Sequence, residues 1–210
     1  MTAVDEAVLK RSVRALCRME PRFAGIVERH GPPPLWPRAP GFPALALLML
    51  EQQVSLAQAR AMFGRIDAAG GVTPQNVAHL GEAGLRALGV TRQKSAYLSV
   101  LAGQLLEGKV DLRRLSAMKD EEAIAALDAL HGVGPWTAHC YLLFALRRPD
   151  VFPTADLGLL EAVRDLWKLK ARPTPLALER RARAWRPHRS TAARLLWHHY
   201  LCERGRTVPA

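Results

Sequence analysis

Cysteine is scarce in this 210-residue chain: Cys17, Cys140 and Cys202 stand far apart, and no two have Cys-x-x-Cys spacing. That excludes a disulfide framework and any four-thiolate zinc or iron–sulfur centre. No apolar run approaches the roughly 18 residues that a membrane helix needs. The opening Met-Thr-Ala-Val-Asp-Glu lacks the positive and then apolar pattern of a secretory leader, so the expected home is the cytoplasm, with no membrane partner. Strands of alternating β-branched residues, fixed-period repeats and low-complexity tracts are missing as well. Acid is in deficit, with 19 Asp+Glu against 30 Lys+Arg and a formal charge of +11. Such a surplus draws a protein onto polyanions, nucleic acid first among them and an acidic membrane surface second. Charge speaks to association and not to chemistry.

What is present is Leu, Ala and Arg in runs of 3.6 periodicity, at 49% hydrophobic composition, which predicts an all-α fold with a substantial core. Helices are expected at 4–28, 44–50, 56–66, 74–80, 81–88, 95–106, 111–118, 121–130, 135–146, 157–167, 176–184 and 191–202. Pro32-Pro33-Pro34 with Pro37, Pro40 and Pro43 breaks the chain after the first of them.

The most informative stretch is Leu130-His-Gly-Val-Gly-Pro-Trp-Thr-Ala138, where two glycines bracket one apolar residue between helical patterns. Glycines allow a tight turn with positive φ and leave backbone N–H groups uncovered. Pro135 suits the first turn of a helix, whose N-terminus offers donors and a positive dipole end to a phosphate. An ordinary helix–helix turn satisfies the same residues. Further on, Asp156 stands immediately before the apolar positions Leu159, Leu160 and Val163, a natural N-cap that needs no other purpose.

Taken together, these segments resemble the helix-hairpin-helix DNA glycosylases, in which the hairpin is followed after about twenty residues by a proline and a catalytic Asp. Leu50-Glu-Gln-Gln-Val-Ser55, Leu88-Gly-Val90 with Arg92 and Lys94, and Trp185-Arg-Pro-His-Arg-Ser190 with Trp197 resemble the alkylpurine branch, the 3-methyladenine DNA glycosylase II type. The resemblance implies two helical lobes, residues 42–150 and residues 1–41 with 151–210, with a cleft between them. It implies the short form without the N-terminal β domain of some relatives. It also implies a monomer acting on duplex DNA with alkylated bases in the bacterial cytosol.

By that resemblance Asp156 is the catalytic carboxylate. Trp136 stands where bifunctional relatives carry a lysine nucleophile, so hydrolysis by water is the chemistry left, without strand cleavage. Trp136 and Trp197 would wall the pocket for the flipped base, although each also suits a core. Cys140 and Leu157 occupy positions that are tyrosines in some members, which widens the pocket. Gln53 would fill the gap left by the base, with Gln52 beside it; a solvated polar pair at a helix break is the plainer alternative. Gly132, Val133, Gly134 and Thr137 would meet the DNA backbone. Ser190, as the N-cap of the last helix, and Arg189 would do so too, within a basic cluster from Arg180 to Arg194 that a solvated helix face also explains. The family implies a monovalent Na⁺ or K⁺ on the carbonyls of Asp128, Leu130 and Val133, no required cofactor and no iron–sulfur cluster. His188, His198 and His199 show no partners at metal-ligand spacing. Two other readings compete: a non-enzymatic helix-hairpin-helix DNA-binding module, and a glycosylase for other damaged or mismatched bases.

Overall fold

The computed structural model describes residues 3–206, and every regular element among them is helical. The order is α1 (Glu6–Met19), α2 (Pro21–His30), α3 (Phe42–Glu51), α4 (Leu56–Ala68), α5 (Pro74–Ala87), α6 (Arg92–Leu106), α7 (Asp120–Asp128), α8 (Pro135–Phe144), α9 (Leu157–Leu166), α10 (Pro175–Ala182) and α11 (Arg189–Cys202). Short 3₁₀ turns occupy Leu112–Ser116 and Arg183–Trp185.

Capping chemistry sets many of the boundaries. Asp5, Ser55, Thr73, Thr91, Asp156 and Thr174 each accept a backbone N–H of the first turn they precede. The single helix expected over 4–28 is in fact two. Glu20 precedes Pro21 and sits at φ −140°, ψ 106°, the extended backbone that a following proline favours, so α1 ends there and Pro21 opens α2. The stretch expected as a helix over 111–118 tightens into the 3₁₀ turn instead. Gly81, at φ 58°, breaks α5 where the sequence suggested two helices.

The described chain divides into two compact units, residues 38–141 and residues 3–37 with 142–206. In the first, α3 is buried all round apart from Pro43. It packs on α4 and α6, and α5 packs on α6. The charge at its end, Glu51, is met by Arg38 in a two-pronged ion pair at 2.7 and 3.0 Å, with the Glu51 side chain only 5% exposed. This pair ties the end of the proline-rich connector to the first unit.

In the second unit α11 packs on α1, α2 and α9. Its interior carries Arg194, which is 0% exposed. The guanidinium donates to Leu35 O at 2.9 Å, Ser190 O at 3.1 Å and Leu143 O at 2.9 Å. Burial pushes this arginine down to about 10, against a smaller opposing pull from Glu6, so it remains cationic at neutral pH. One member of the basic cluster is therefore an internal clamp rather than a surface charge. His199 on the same helix lies beside Glu203 and beside His30 of α2, partners that its spacing in the sequence did not reveal.

Replacing Arg194 by Met keeps the bulk but strands three carbonyls, and should destabilise the protein by about 3–5 kcal/mol. Lysine, with one compact ammonium, should recover only part of this. Denaturant midpoints at an unchanged m-value check it. A loss below about 1 kcal/mol would mean that the clamp is dispensable.

Candidate active site

The hairpin lies within residues 38–141. Val133 N–H donates to Leu130 O at 3.0 Å and closes the turn. Gly132 adopts φ +84°, and a Cβ there would run into the Tyr97 ring, so both conformation and space demand glycine. Tyr97 meets the His131 ring edge-on at 4.6 Å. Gly134 differs from the expectation: its φ is not positive, and a Cβ would meet nothing within 4 Å. It precedes Pro135 at the start of α8, and its carbonyl accepts Ala138 N–H at 3.0 Å. Val133 is buried.

The corner after α3 is built against this turn. Gln52 donates through Nε2 to Gly132 O and to Thr137 Oγ1, both at 2.9 Å. Thr137 is 1% exposed, so its hydroxyl serves this internal strut. Lys94 donates from Nζ to Leu50 O at 2.6 Å and Gln52 O at 2.7 Å, capping the carbonyl end of α3 with a cation. Burial lowers its pKa. Gln53 is exposed at φ +56°, a left-handed conformation that costs a glutamine on the order of 1 kcal/mol and that the strut and cap hold in place. Neither the strut nor the cap has a local signature in the sequence. A lysine three positions into an N-capped helix carries no sequence signal of pointing at a distant helix end.

Asp156 belongs to the other unit. Its Oδ1 accepts Leu159 N–H at 2.9 Å, which makes it the N-cap of α9, and Trp197 Nε1–H at 2.8 Å. Two donors from different helices fix the plane of the carboxylate. The Trp197 ring stacks on Phe144, with centroids 5.2 Å apart and an interplanar angle of 24°. Gly158 makes this approach possible. A Cβ there would lie 3.1 Å from Asp156 Oδ1 and 3.3 Å from both the Trp197 and Tyr200 rings. A glycine in the first turn of a helix is costly on propensity alone, and was the one signal available for this contact.

The extended segment leading to Asp156 is fastened to the start of α11. Asp150 takes the Arg189 guanidinium at 2.9 Å on each oxygen and Arg189 N–H at 3.3 Å. Ser190 Oγ accepts Val151 N–H and donates to Val151 O, both at 3.0 Å, while Ser190 N–H goes to Pro149 O at 3.1 Å. The expected capping is corrected here: His188 is the N-cap, Ser190 is a buried second residue of the helix, and its first N–H groups are already engaged within the protein. Trp136 and Trp197 are half-buried, Cys140 is 1% exposed and Leu157 is 54% exposed.

Residues 47–187 match the family model of the HhH-GPD superfamily base excision DNA repair proteins. The chain belongs to that superfamily. It is 29% identical over 184 residues to the candidate DNA-3-methyladenine glycosylase YfjP of Bacillus subtilis, covering 83% of this chain and 64% of that one. It is 26% identical over 181 residues to DNA-3-methyladenine glycosylase 1 of Schizosaccharomyces pombe, covering 84% and 79%. The chain thus spans just under two thirds of the Bacillus relative's length. The S. pombe 3-methyladenine DNA glycosylase Mag1, solved with abasic DNA, shares the fold at a TM-score of 0.82 and 24% identity, over 89% of this chain and 95% of that one. Within the superfamily match fall the hairpin, Asp156 and the Gln52–Gln53 corner.

The two glycines should separate by experiment. Gly132→Ala should destabilise the fold by about 2–3 kcal/mol through strain and overlap with Tyr97, while Gly134→Ala should cost well under about 1 kcal/mol. Thermal unfolding of both variants checks this, and equal losses would contradict it.

Proposed function

We propose that this protein is a monofunctional DNA glycosylase that hydrolyses the N-glycosidic bond of alkylated purines, of the 3-methyladenine and 7-methylguanine type, in duplex DNA. The observation that carries this is the Asp156 carboxylate, oriented by Leu159 N–H and Trp197 Nε1–H at the head of α9, in a chain of the superfamily. Relatives whose names specify 3-methyladenine supply the substrate class.

In this reading the flipped base leaves with the glycosidic electron pair, and water bonds to the sugar carbon. Asp156 stabilises the positive charge that develops on the sugar or takes the proton of the attacking water. A cationic methylated purine leaves readily. Trp136 and Trp197 border the base, with Leu157 exposed beside Asp156. Cys140 lies one turn beyond Trp136 on α8 and is buried. With no tyrosine at Cys140 or Leu157, neutral bases such as hypoxanthine and 8-oxoguanine should be poor substrates. Trp136 offers no amine, so no Schiff base forms and the strand stays intact.

Gln53 fills the space left by the base. The hairpin N–H groups of Gly132 and Gly134 meet phosphate, and the room around Gly134 suits that approach, whereas the N–H of buried Val133 is taken by Leu130 O and shapes the turn instead. Gln52 and Thr137 hold the hairpin, and Arg189 and Ser190 hold the segment before Asp156, so their effect on DNA is through positioning. The carbonyls of Asp128, Leu130 and Val133 are hard neutral donors that suit Na⁺ or K⁺. Leu130 O keeps a second lone pair beside its bond to Val133 N–H. Such an ion would add positive charge toward a phosphate.

Asn caps a helix as well as Asp, so Asp156→Asn should fold normally and bind DNA at least as tightly, yet lose about 10²–10⁴-fold in single-turnover excision of 3-methyladenine. Near-normal rates would reduce Asp156 to a cap. Products should be abasic sites that break only in alkali, and breakage without alkali would contradict the hydrolytic reading. Gly134→Ala should weaken binding to damaged and undamaged duplex alike, because phosphate contacts carry no base information. Lesion-selective loss would remove the hairpin from the backbone role.

A further inference from the structure

Outside the residues used above, the second unit holds a set of donors with no role in base excision. His30 closes α2, His199 lies in the last turn of α11, and Glu203 follows that helix. One ligand atom from each lies within 4.8 Å of the others. His30 Nε2 is 3.0 Å from Glu203 Oε1, and His199 Nδ1 is 3.9 Å from the same oxygen. We propose that His30, His199 and Glu203 form a binding site for a divalent transition-metal ion of the zinc class, which staples α2 to α11.

Three observations converge on this. The first is an imidazole in the wrong setting for an ordinary core residue. His199 is 4% exposed, its Nε2 is buried without a hydrogen-bond partner, and its Nδ1 stands too far from Glu203 for a hydrogen bond. The Nδ1 side of the ring is the one that faces Glu203, at a distance that leaves room for an ion between the donors.

The second is geometry. His199 and Glu203 are four apart at the end of one helix, so their side chains share a face. Bonds of about 2.0–2.1 Å to a tetrahedral ion place neighbouring donors roughly 3.3–3.4 Å apart. The 3.0 and 3.9 Å separations from Glu203 bracket that spacing, and all three donors lie within 4.8 Å of one another. Two imidazoles and a carboxylate are borderline donors that suit zinc, nickel or copper better than magnesium or calcium. Three protein ligands leave a position for water.

The third is the support around the ligands. His198 Nε2 donates to the His30 backbone carbonyl at 3.1 Å, and the Cys202 thiol lies 3.7 Å from His198 Nδ1, which fixes that ring in turn. The His30 and His199 rings are 5.8 Å apart. Arg29 is the competitor for the carboxylate, at 3.0 Å from Oε1, but its side chain is 66% exposed and can swing into water when an ion enters.

The test is titration of chelator-treated full-length protein with Zn²⁺ alone, followed by calorimetry and thermal unfolding, with Co²⁺ absorption as the spectroscopic readout. One ion per chain should bind. Saturation should raise Tm by roughly 5 °C, since a ligand bound only by the native state stabilises it. Co²⁺ should give the intense visible bands of a tetrahedral N/O site. His30→Gln and Glu203→Gln should each weaken binding at least tenfold and abolish the shift in Tm. Arg29→Gln, which removes the competing cation and leaves all three ligands, should bind zinc more tightly. His79→Gln, at an exposed histidine elsewhere, should bind as the parent does. Absence of stoichiometric binding, unchanged binding in His30→Gln and Glu203→Gln, or weaker binding in Arg29→Gln would overturn the proposal. An equal loss in His79→Gln would do the same, because it would mean adventitious histidine binding.

Discussion

Arg194 is the constraint around which the unit containing Asp156 is organised. A guanidinium cannot be buried unless nearly all of its donors find acceptors, and here the carbonyls of Leu35, Leu143 and Ser190 converge on it. Those carbonyls come from the connector after α2, the end of α8 and the first turn of α11. Satisfying one side chain therefore sets the position of three otherwise separate stretches of chain. With α11 fixed in this way, Ser190 and Arg189 reach the segment 150–151, and Trp197 reaches Asp156.

The carboxylate inherits its orientation from this arrangement. It does two jobs with one oxygen, accepting the N-cap bond from Leu159 and the indole N–H of Trp197. The stacked ring of Phe144 limits the tilt of the indole, and the missing side chain at Gly158 lets the indole come close. A structural cap and a chemical group thus coincide. The N-cap role that its sequence position allowed is met, by the same oxygen that takes the indole N–H.

The helical class, most helix limits and the hairpin were readable because they depend on local signals: 3.6 periodicity, capping residues and glycine pairs. Wrong expectations arose where a distant partner decides. Nothing near Arg194 in sequence distinguishes it from Arg180 or Arg181, yet it is buried and they are not, because two remote carbonyls, those of Leu35 and Leu143, select it. Ser190 looked like a cap because serine so often is one, but Val151 claims its hydroxyl. Gln52 read as a polar interruption of an apolar helix, and its partners on the hairpin lie some 80 positions on. The break at Pro21, by contrast, was in the sequence throughout. The strong amphipathic pattern on either side concealed it.

The order of the chain gives this arrangement a consequence during synthesis. Residues 38–141 form a continuous stretch, whereas the other unit joins 3–37 to 142–206. On a ribosome the first unit can begin to pack as soon as its own residues have emerged. α1 and α2 must wait, because α11 and the guanidinium that donates to Leu35 O come from the far end of the described chain. Until then the apolar faces of these two helices lack their partner. A nascent chain stalled before α11 would expose them, and would also leave Asp156 without the indole N–H that its carboxylate accepts, so an unfinished product is sticky and has its carboxylate unaligned.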